Sequence, residues 1–123
     1  MDLQLKGKTA LVTGASQGLG KAIAVGLAME GVQVAITARR RELLEKTAAE
    51  IVQKGGLNPV IIAADLYPEN AADDIAAQAL KAMGRVDIVA NAAGGSRPLP
   101  LDGSKQAWLE GMTLNFWRLR ELT

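Results

Sequence analysis

The sequence predicts an α/β fold in which a parallel sheet is covered by helices on both faces. Three observations carry that expectation. Short β-rich apolar runs alternate with amphipathic stretches four times along 123 residues, the order that builds strand–helix–strand crossovers. The strand candidates are almost continuously hydrophobic, as strands with both faces buried must be. Three glycines, Gly14, Gly18 and Gly20, crowd the first strand-to-helix turn, TGASQGLG at residues 13–20. Glycine loses more backbone freedom on folding than any other residue, so three of them imply a close approach to the main chain.

The elements follow in order. Residues 8–13 (KTALVT) read as the first strand, closed by Gly14. Residues 18–30 read as a helix, with Leu19, Ile23 and Leu27 at four-residue spacing and Gly31 beyond its end. Residues 32–37 (VQVAIT) form a second strand. Residues 41–54 form a second helix, apolar at Leu44, Ala48 and Ile51, with Glu42–Lys46 and Glu50–Lys54 as favourable pairs on its outer face. A third strand spans residues 58–63, a third helix 70–83 and a fourth strand 86–90. A fourth helix runs from Lys105, capped by Asp102 or Ser104. Residues 94–103 (GGSRPLPLDG) are the long glycine- and proline-rich loop, and no repeat or low-complexity tract interrupts the series.

Composition bounds the function. With 49% hydrophobic and 22% charged residues the chain can build one core, and with 3% aromatics Ala, Val, Ile and Leu must fill it. A net charge of +1 gives no nucleic-acid footprint. No cysteine and no histidine occur, which removes disulfides, thiolate chemistry and the commonest general base and metal ligand, so no metal site is expected. No run reaches the length of a membrane span and MDLQLKGK is not a signal peptide, so the expected location is cytoplasmic.

The glycine turn now acquires a chemistry. The first turn of the following helix offers N–H groups without intrahelical partners and the positive end of its dipole, a place for an anion. Glycines would let a dinucleotide pyrophosphate reach the backbone. The plainer reading is an ordinary glycine-rich turn, and the strand–helix–strand context favours the dinucleotide. The spacing, Gly-x-x-x-Gly-x-Gly, is one residue longer than the usual fingerprint.

In that spacing TGASQGLG resembles the Thr-Gly-x-x-x-Gly-x-Gly motif of the classical short-chain dehydrogenases/reductases. Ala64-Asp65-Leu66 follows the third strand where the family keeps an Asp that contacts adenine. Asn91-Ala92-Ala93-Gly94 resembles the family's Asn-Asn-Ala-Gly, with Ala92 in place of the second Asn. Asn115, within Thr113-Leu114-Asn115-Phe116, sits where the family keeps the helical Asn of its catalytic tetrad. The resemblance implies a Rossmann-type doubly wound parallel sheet of strand order 3-2-1-4, incomplete relative to the family. It implies a cofactor site at Gly14, Ser16, Gln17, Gly18, Leu19, Gly20, Asp65, Leu66, Asn91, Ala92, Ala93 and Gly94, and Asn115 as the catalytic candidate. Each also has a plainer reading: Asp65 as a turn cap, Asn91 as a partner of backbone groups at a strand end, Asn115 as a surface residue. Phe116 and Trp117 read as packing residues, one of them facing a partner chain in the homo-oligomer that the family resemblance implies.

Cofactor choice is expected where the second strand ends. Thr37-Ala38-Arg39-Arg40-Arg41 has no carboxylate to hold ribose hydroxyls. It offers guanidiniums, which bind phosphate through planar charge-assisted bonds. Arg39 is the first candidate for a 2′-phosphate and Arg40 the second, so NADP(H) is expected rather than NAD(H). A solvated basic run is the alternative, but cations at a helix start are electrostatically unfavourable. The family's Ser and Tyr-x-x-x-Lys elements do not occur before Thr123; Tyr67, the chain's one tyrosine, has Ala71 four residues on. Residues 1–123 are thus expected to be the amino-terminal dinucleotide-binding domain of a longer single-domain enzyme, inactive by itself. That enzyme would move a hydride between NADP(H) and a small carbonyl or secondary-alcohol substrate. A noncatalytic redox-sensing nucleotide module, or a fragment that binds no cofactor, are the other classes left open.

Overall fold

Hydrophobic strands that lack a solvent face must stack side by side, and four do so in parallel. The computed structural model describes residues 1–94 and 102–123; the predicted 94–103 loop lies largely outside them. Strand β1 (Thr9–Thr13) occupies the interior of the sheet beside β2 (Gln33–Ala38), with β3 (Val60–Ala63) and β4 (Ile88–Asn91) at the edges. The order is β3-β2-β1-β4, the expected 3-2-1-4. In register, Thr13 stands beside Thr37 on one side and Asn91 on the other, so the carboxyl ends of three strands finish level.

Alternation along each strand sends side chains to opposite faces. Ala10, Val12, Val34 and Ile36 meet α1 (Gly18–Met29) and α2 (Arg41–Gln53) through Ala24, Ala28, Leu44, Ala48 and Ile51. Leu11, Ala35 and Ile62 meet Ile75 and Ala79 of α3 (Ala71–Met83) on the other face, with Leu122 packed alongside. The sheet is therefore covered on both sides.

Several local expectations are corrected. On α1 the buried stripe is Gly20, Ala24 and Ala28, whereas Leu19 is 73% exposed and Ile23 and Leu27 are half-buried. Small residues let the helix lie close to the sheet, and that wins over a leucine stripe. Strand β3 starts at Val60 because Pro59 has no N–H to donate to a ladder. On α2 only one predicted pair closes: Glu50 meets Lys54 at 3.1 Å and also reaches Lys21 of α1 at 2.9 Å. Among the described residues Glu42 and Lys46 make no ion pair. The predicted fourth helix is α4 (Lys105–Met112), a π-helical turn (Thr113–Trp117) and α5 (Arg118–Leu122). Ser104 is its cap, its Oγ accepting from the Ala107 N–H at 3.2 Å. Phe116 and Trp117 do not enter the core: they are 48% and 44% exposed, edge to face with each other at 5.1 Å.

Candidate functional site

The site is built where β1, β2 and β4 end. Gly14 leaves β1 with φ +64, and a Cβ on it would lie 2.8 Å from the Cα and N of Ala93. The turn and the stretch after β4 thus touch backbone to backbone. Thr13 holds that contact: its Oγ1 accepts from the N–H groups of Ala92 and Ala93 at 3.1 and 3.0 Å. From the other side Thr47 of α2, fully buried, donates to the Ala15 carbonyl at 3.1 Å, and the Ala15 N–H donates to Thr37 O at 3.3 Å. A Cβ on Gly20 would overlap the Gly14 carbonyl, which is why α1 can start tight against the strand. Gly18 has φ +59 and open space beside it. Its glycine is required by conformation rather than by an obstructing neighbour, which corrects the simple crowding argument at this position.

A cleft of about 830 Å³ opens over these strand ends, within the range of small-ligand sites. Its walls are Gly14, Ser16 and Gln17 of the turn, residues 37–40 after β2, residues 64–67 after β3, and Ala92, Ala93 and Gly94 after β4. Ten of the predicted cofactor residues therefore line one space: Gly14, Ser16, Gln17, Arg39, Arg40, Asp65, Leu66, Ala92, Ala93 and Gly94. Arg39 and Arg40 are exposed at its rim. The α1 N-terminus presents no acidic side chain in its first turn, and its cap Gln17 makes no side-chain bond to it, so the first N–H groups keep their capacity to bind an anion.

Gly18, Leu19, Gly20, Asn91 and Asn115 are not among the residues that line the cleft. Gly18, Leu19 and Gly20 form the first turn of α1. Asn91 turns its amide toward the last helix, donating to Thr123 Oγ1 at 3.2 Å and Leu119 O at 3.4 Å. Asp65 lines the cleft and also caps its own turn, accepting from the Tyr67 N–H at 3.0 Å. Asn115 lies in the π-helical turn, donates to the Gly111 carbonyl at 2.9 Å, and has Oδ1 2.7 Å from where a Cβ on Gly94 would be.

Sequence reasoning missed part of the wall. Ala107, Glu110, Gly111 and Leu114 face the cleft from the last helix; their spacing of three, one and three is one helical face and was available as a signal. Thr37, which lines the cleft, was missed as well. Its Oγ1 is the buried side-chain polar atom without a hydrogen-bond partner among the described residues.

A parallel sheet of this order, with a glycine turn and an open cleft at its carboxyl ends, defines a Rossmann-type α/β domain. The short chain dehydrogenase pattern matches residues 8–121, and the chain belongs to that family of oxidoreductases. Over 98% of its length it is 33% identical to the 7alpha-hydroxysteroid dehydrogenase of Escherichia coli strain K12, covering 48% of that protein. Over 75% of its length it is 42% identical to a fatty acyl-CoA reductase of Acinetobacter baylyi, covering 31% of it. The L-sorbose reductase of Gluconobacter frateurii, solved with NADPH and L-sorbose, superposes with a TM-score of 0.94 at 28% identity, over 99% of this chain and 47% of that one. A 7 alpha-hydroxysteroid dehydrogenase solved with NADH superposes at 0.92 with 32% identity, over 98% of this chain and 47% of that one. The chain spans less than half the length of each of these proteins.

Proposed function

We propose that this chain is the dinucleotide-binding part of an NADP(H)-dependent oxidoreductase acting on a small carbonyl or secondary-alcohol compound. The observation that carries the reading is the rim of the cleft: Arg39 and Arg40 border it after β2, where Ala38 offers no carboxylate to ribose hydroxyls. The cleft fits such a cofactor at two further points. Glycine at position 14 lets the turn pack on the backbone of Ala92 and Ala93, which brings both stretches to one cleft, and the first turn of α1 carries no acidic side chain. Relatives solved with NADPH and with NADH support a nicotinamide dinucleotide; the guanidiniums argue for the phosphorylated form.

When bound, the nicotinamide supplies or accepts a hydride, with one proton taken up or released, so that a carbonyl becomes a secondary alcohol or the reverse. The chain's own residues bind and orient. The N–H groups of the turn, including Ser16, Gln17, Gly18, Leu19 and Gly20, would hold the pyrophosphate. Arg39, seconded by Arg40, would hold the 2′-phosphate; Asp65 and Leu66 would hold the adenine. The backbone of residues 91–94, with Asn91 anchoring its start to the last helix, would form the wall along the sugar and ring. Asn115, in the π-helical turn, would be the catalytic residue that this chain contributes. The protein at its full native length is read as a soluble, cytoplasmic homo-oligomer.

The test is Arg39→Asp in the protein at its full native length. Losing a charge-assisted bond and adding repulsion should weaken NADPH by roughly 2–3 kcal/mol, about 30- to 150-fold, while NADH changes little. Titration followed through Trp108 and Trp117 fluorescence reads both. Equal loss for the two cofactors refutes the assignment of Arg39.

A further inference from the structure

Arg118 is the one buried charged side chain among the described residues, 8% exposed. Taking a guanidinium out of water costs several kcal/mol unless its donors are used. They are used in one place. The single Nε–H is shared between the carbonyls of Leu66 at 2.9 Å and Pro68 at 3.0 Å, Nη2 donates to the Tyr67 carbonyl at 3.1 Å, and Nη1 to Glu121 Oε1 at 3.0 Å. Three successive carbonyls of the β3–α3 connection thus converge on one fork from the last helix. That connection carries Asp65, Leu66 and Tyr67 of the cleft wall, and the helix that bears Arg118 carries the facing wall, Glu110, Gly111 and Leu114. A second, exposed tie joins the same two elements, Gln106 Nε2 donating to Tyr67 Oη at 3.2 Å.

We infer that Arg118 is a positioning residue that fixes the 65–68 wall of the cleft against the last helix, so that the adenine end of the nucleotide site is formed before the ligand arrives. Ala64 and Leu66 pack on the core at the start of the connection, but Asp65, Tyr67 and Pro68 are exposed. The main-chain hydrogen bonds of the stretch are the Ala64 N–H to Ala38 O, the Tyr67 N–H to Asp65 Oδ1 and the Ala71 N–H to Pro68 O. Two charge-assisted N–H groups of a rigid fork, one of them shared between two carbonyls, remove the freedom that the loop would otherwise lose on binding. An apolar side chain could fill the same volume without the cost of burying a charge, but it could not hold carbonyls.

The inference rests on the nucleotide reading of the cleft, and the probe is 2′,5′-ADP, which carries the adenosine end alone. Its affinity is measured by calorimetry for the native-length protein and for Arg118→Met and Arg118→Lys, with hydrogen exchange followed over residues 64–70 and over α1. Arg118→Met should weaken 2′,5′-ADP by roughly tenfold, with faster exchange confined to 64–70. Arg118→Lys, which keeps the charge and part of the grip, should recover part of that affinity. If Arg118→Met does not fold, Arg118→Lys decides by itself: weaker binding with local exchange supports the role. Unchanged binding, or a loss accompanied by faster exchange in α1 as well, overturns it. A wild-type protein that does not bind 2′,5′-ADP overturns the NADP(H) reading and this inference with it. A wild-type that binds beside variants that bind equally well overturns the role of Arg118 alone.

Discussion

Replacing Gly14 by alanine should cost the fold far more than replacing Gly18, although both sit at nearly the same backbone angle. The two φ values are +64 and +59, so each alanine pays the left-handed penalty of about 1–2 kcal/mol. Around Gly18 the new methyl meets nothing within 4 Å, and the penalty ends there. At Gly14 the methyl would lie 2.8 Å from Ala93 N and Cα and 2.9 Å from Ala92 C. Main chain cannot rotate away as a side chain can, so the stretch after β4 must retreat by about half an ångström to reach ordinary contact. Retreat pulls the N–H groups of Ala92 and Ala93 from Thr13 Oγ1, now at 3.1 and 3.0 Å, at about 1 kcal/mol for each bond. The expected losses are roughly 3–4 kcal/mol for Gly14→Ala and 1–2 kcal/mol for Gly18→Ala. Urea unfolding of the native-length protein, with the midpoint and slope compared between variants, measures the difference. Equal destabilisation would refute the claim that the turn and the 92–93 backbone are in contact.

The other predictions use the same features. Gly18→Val should abolish NADPH binding while leaving helical circular dichroism intact, because a branched side chain would enter the open space beside the α1 N-terminus; unchanged affinity would remove the pyrophosphate from that place. Asp87 is held below the ordinary aspartate range chiefly by the Thr9 N–H, opposed next by burial, with the Thr9 hydroxyl and then Arg85 adding to the lowering. A lowered folded value means stability present above the unfolded value and lost as pH falls through the folded one, so the contribution should fade below roughly pH 4. Asp87→Asn should flatten thermal stability against pH in that window, and an unchanged profile would exclude Asp87 as its source. The 123-residue chain by itself should self-associate, since Trp108, Leu109, Met112, Phe116 and Trp117 expose 44–51% of their surface along one helical stretch. A monomer at high micromolar concentration in sedimentation velocity would contradict this.

What could be read from the sequence was local or compositional. Strand and helix alternation follows from periods of 2 and 3.6, the helix stops from glycine, and the capacity of the turn to hold an anion from the free N–H groups of α1. The buried positions of α2, Leu44, Ala48 and Ile51, came from spacing alone because one face meets the core. Strand order and the gathering of Gly14, Ser16, Gln17, residues 65–66 and 92–94 around one cleft were anticipated through whole motifs in family order, and Arg39 and Arg40 through their charge after the second strand, since no single stretch encodes a neighbour eighty residues away. Tertiary structure alone decided the rest. It chose Gly20, Ala24 and Ala28 over the leucines of α1, because closeness to the sheet favours small residues over large apolar ones. It turned Asn91 away from the cleft, toward a helix 28 and 32 residues further along. It also buried Arg118, which in sequence is an ordinary helical cation that solvent should keep. Its partners are three carbonyls 50 to 52 residues earlier, and a carbonyl carries no side-chain signal to be read. A charge leaves water only when the fold assembles donors and acceptors that replace hydration, and that assembly exists only in three dimensions.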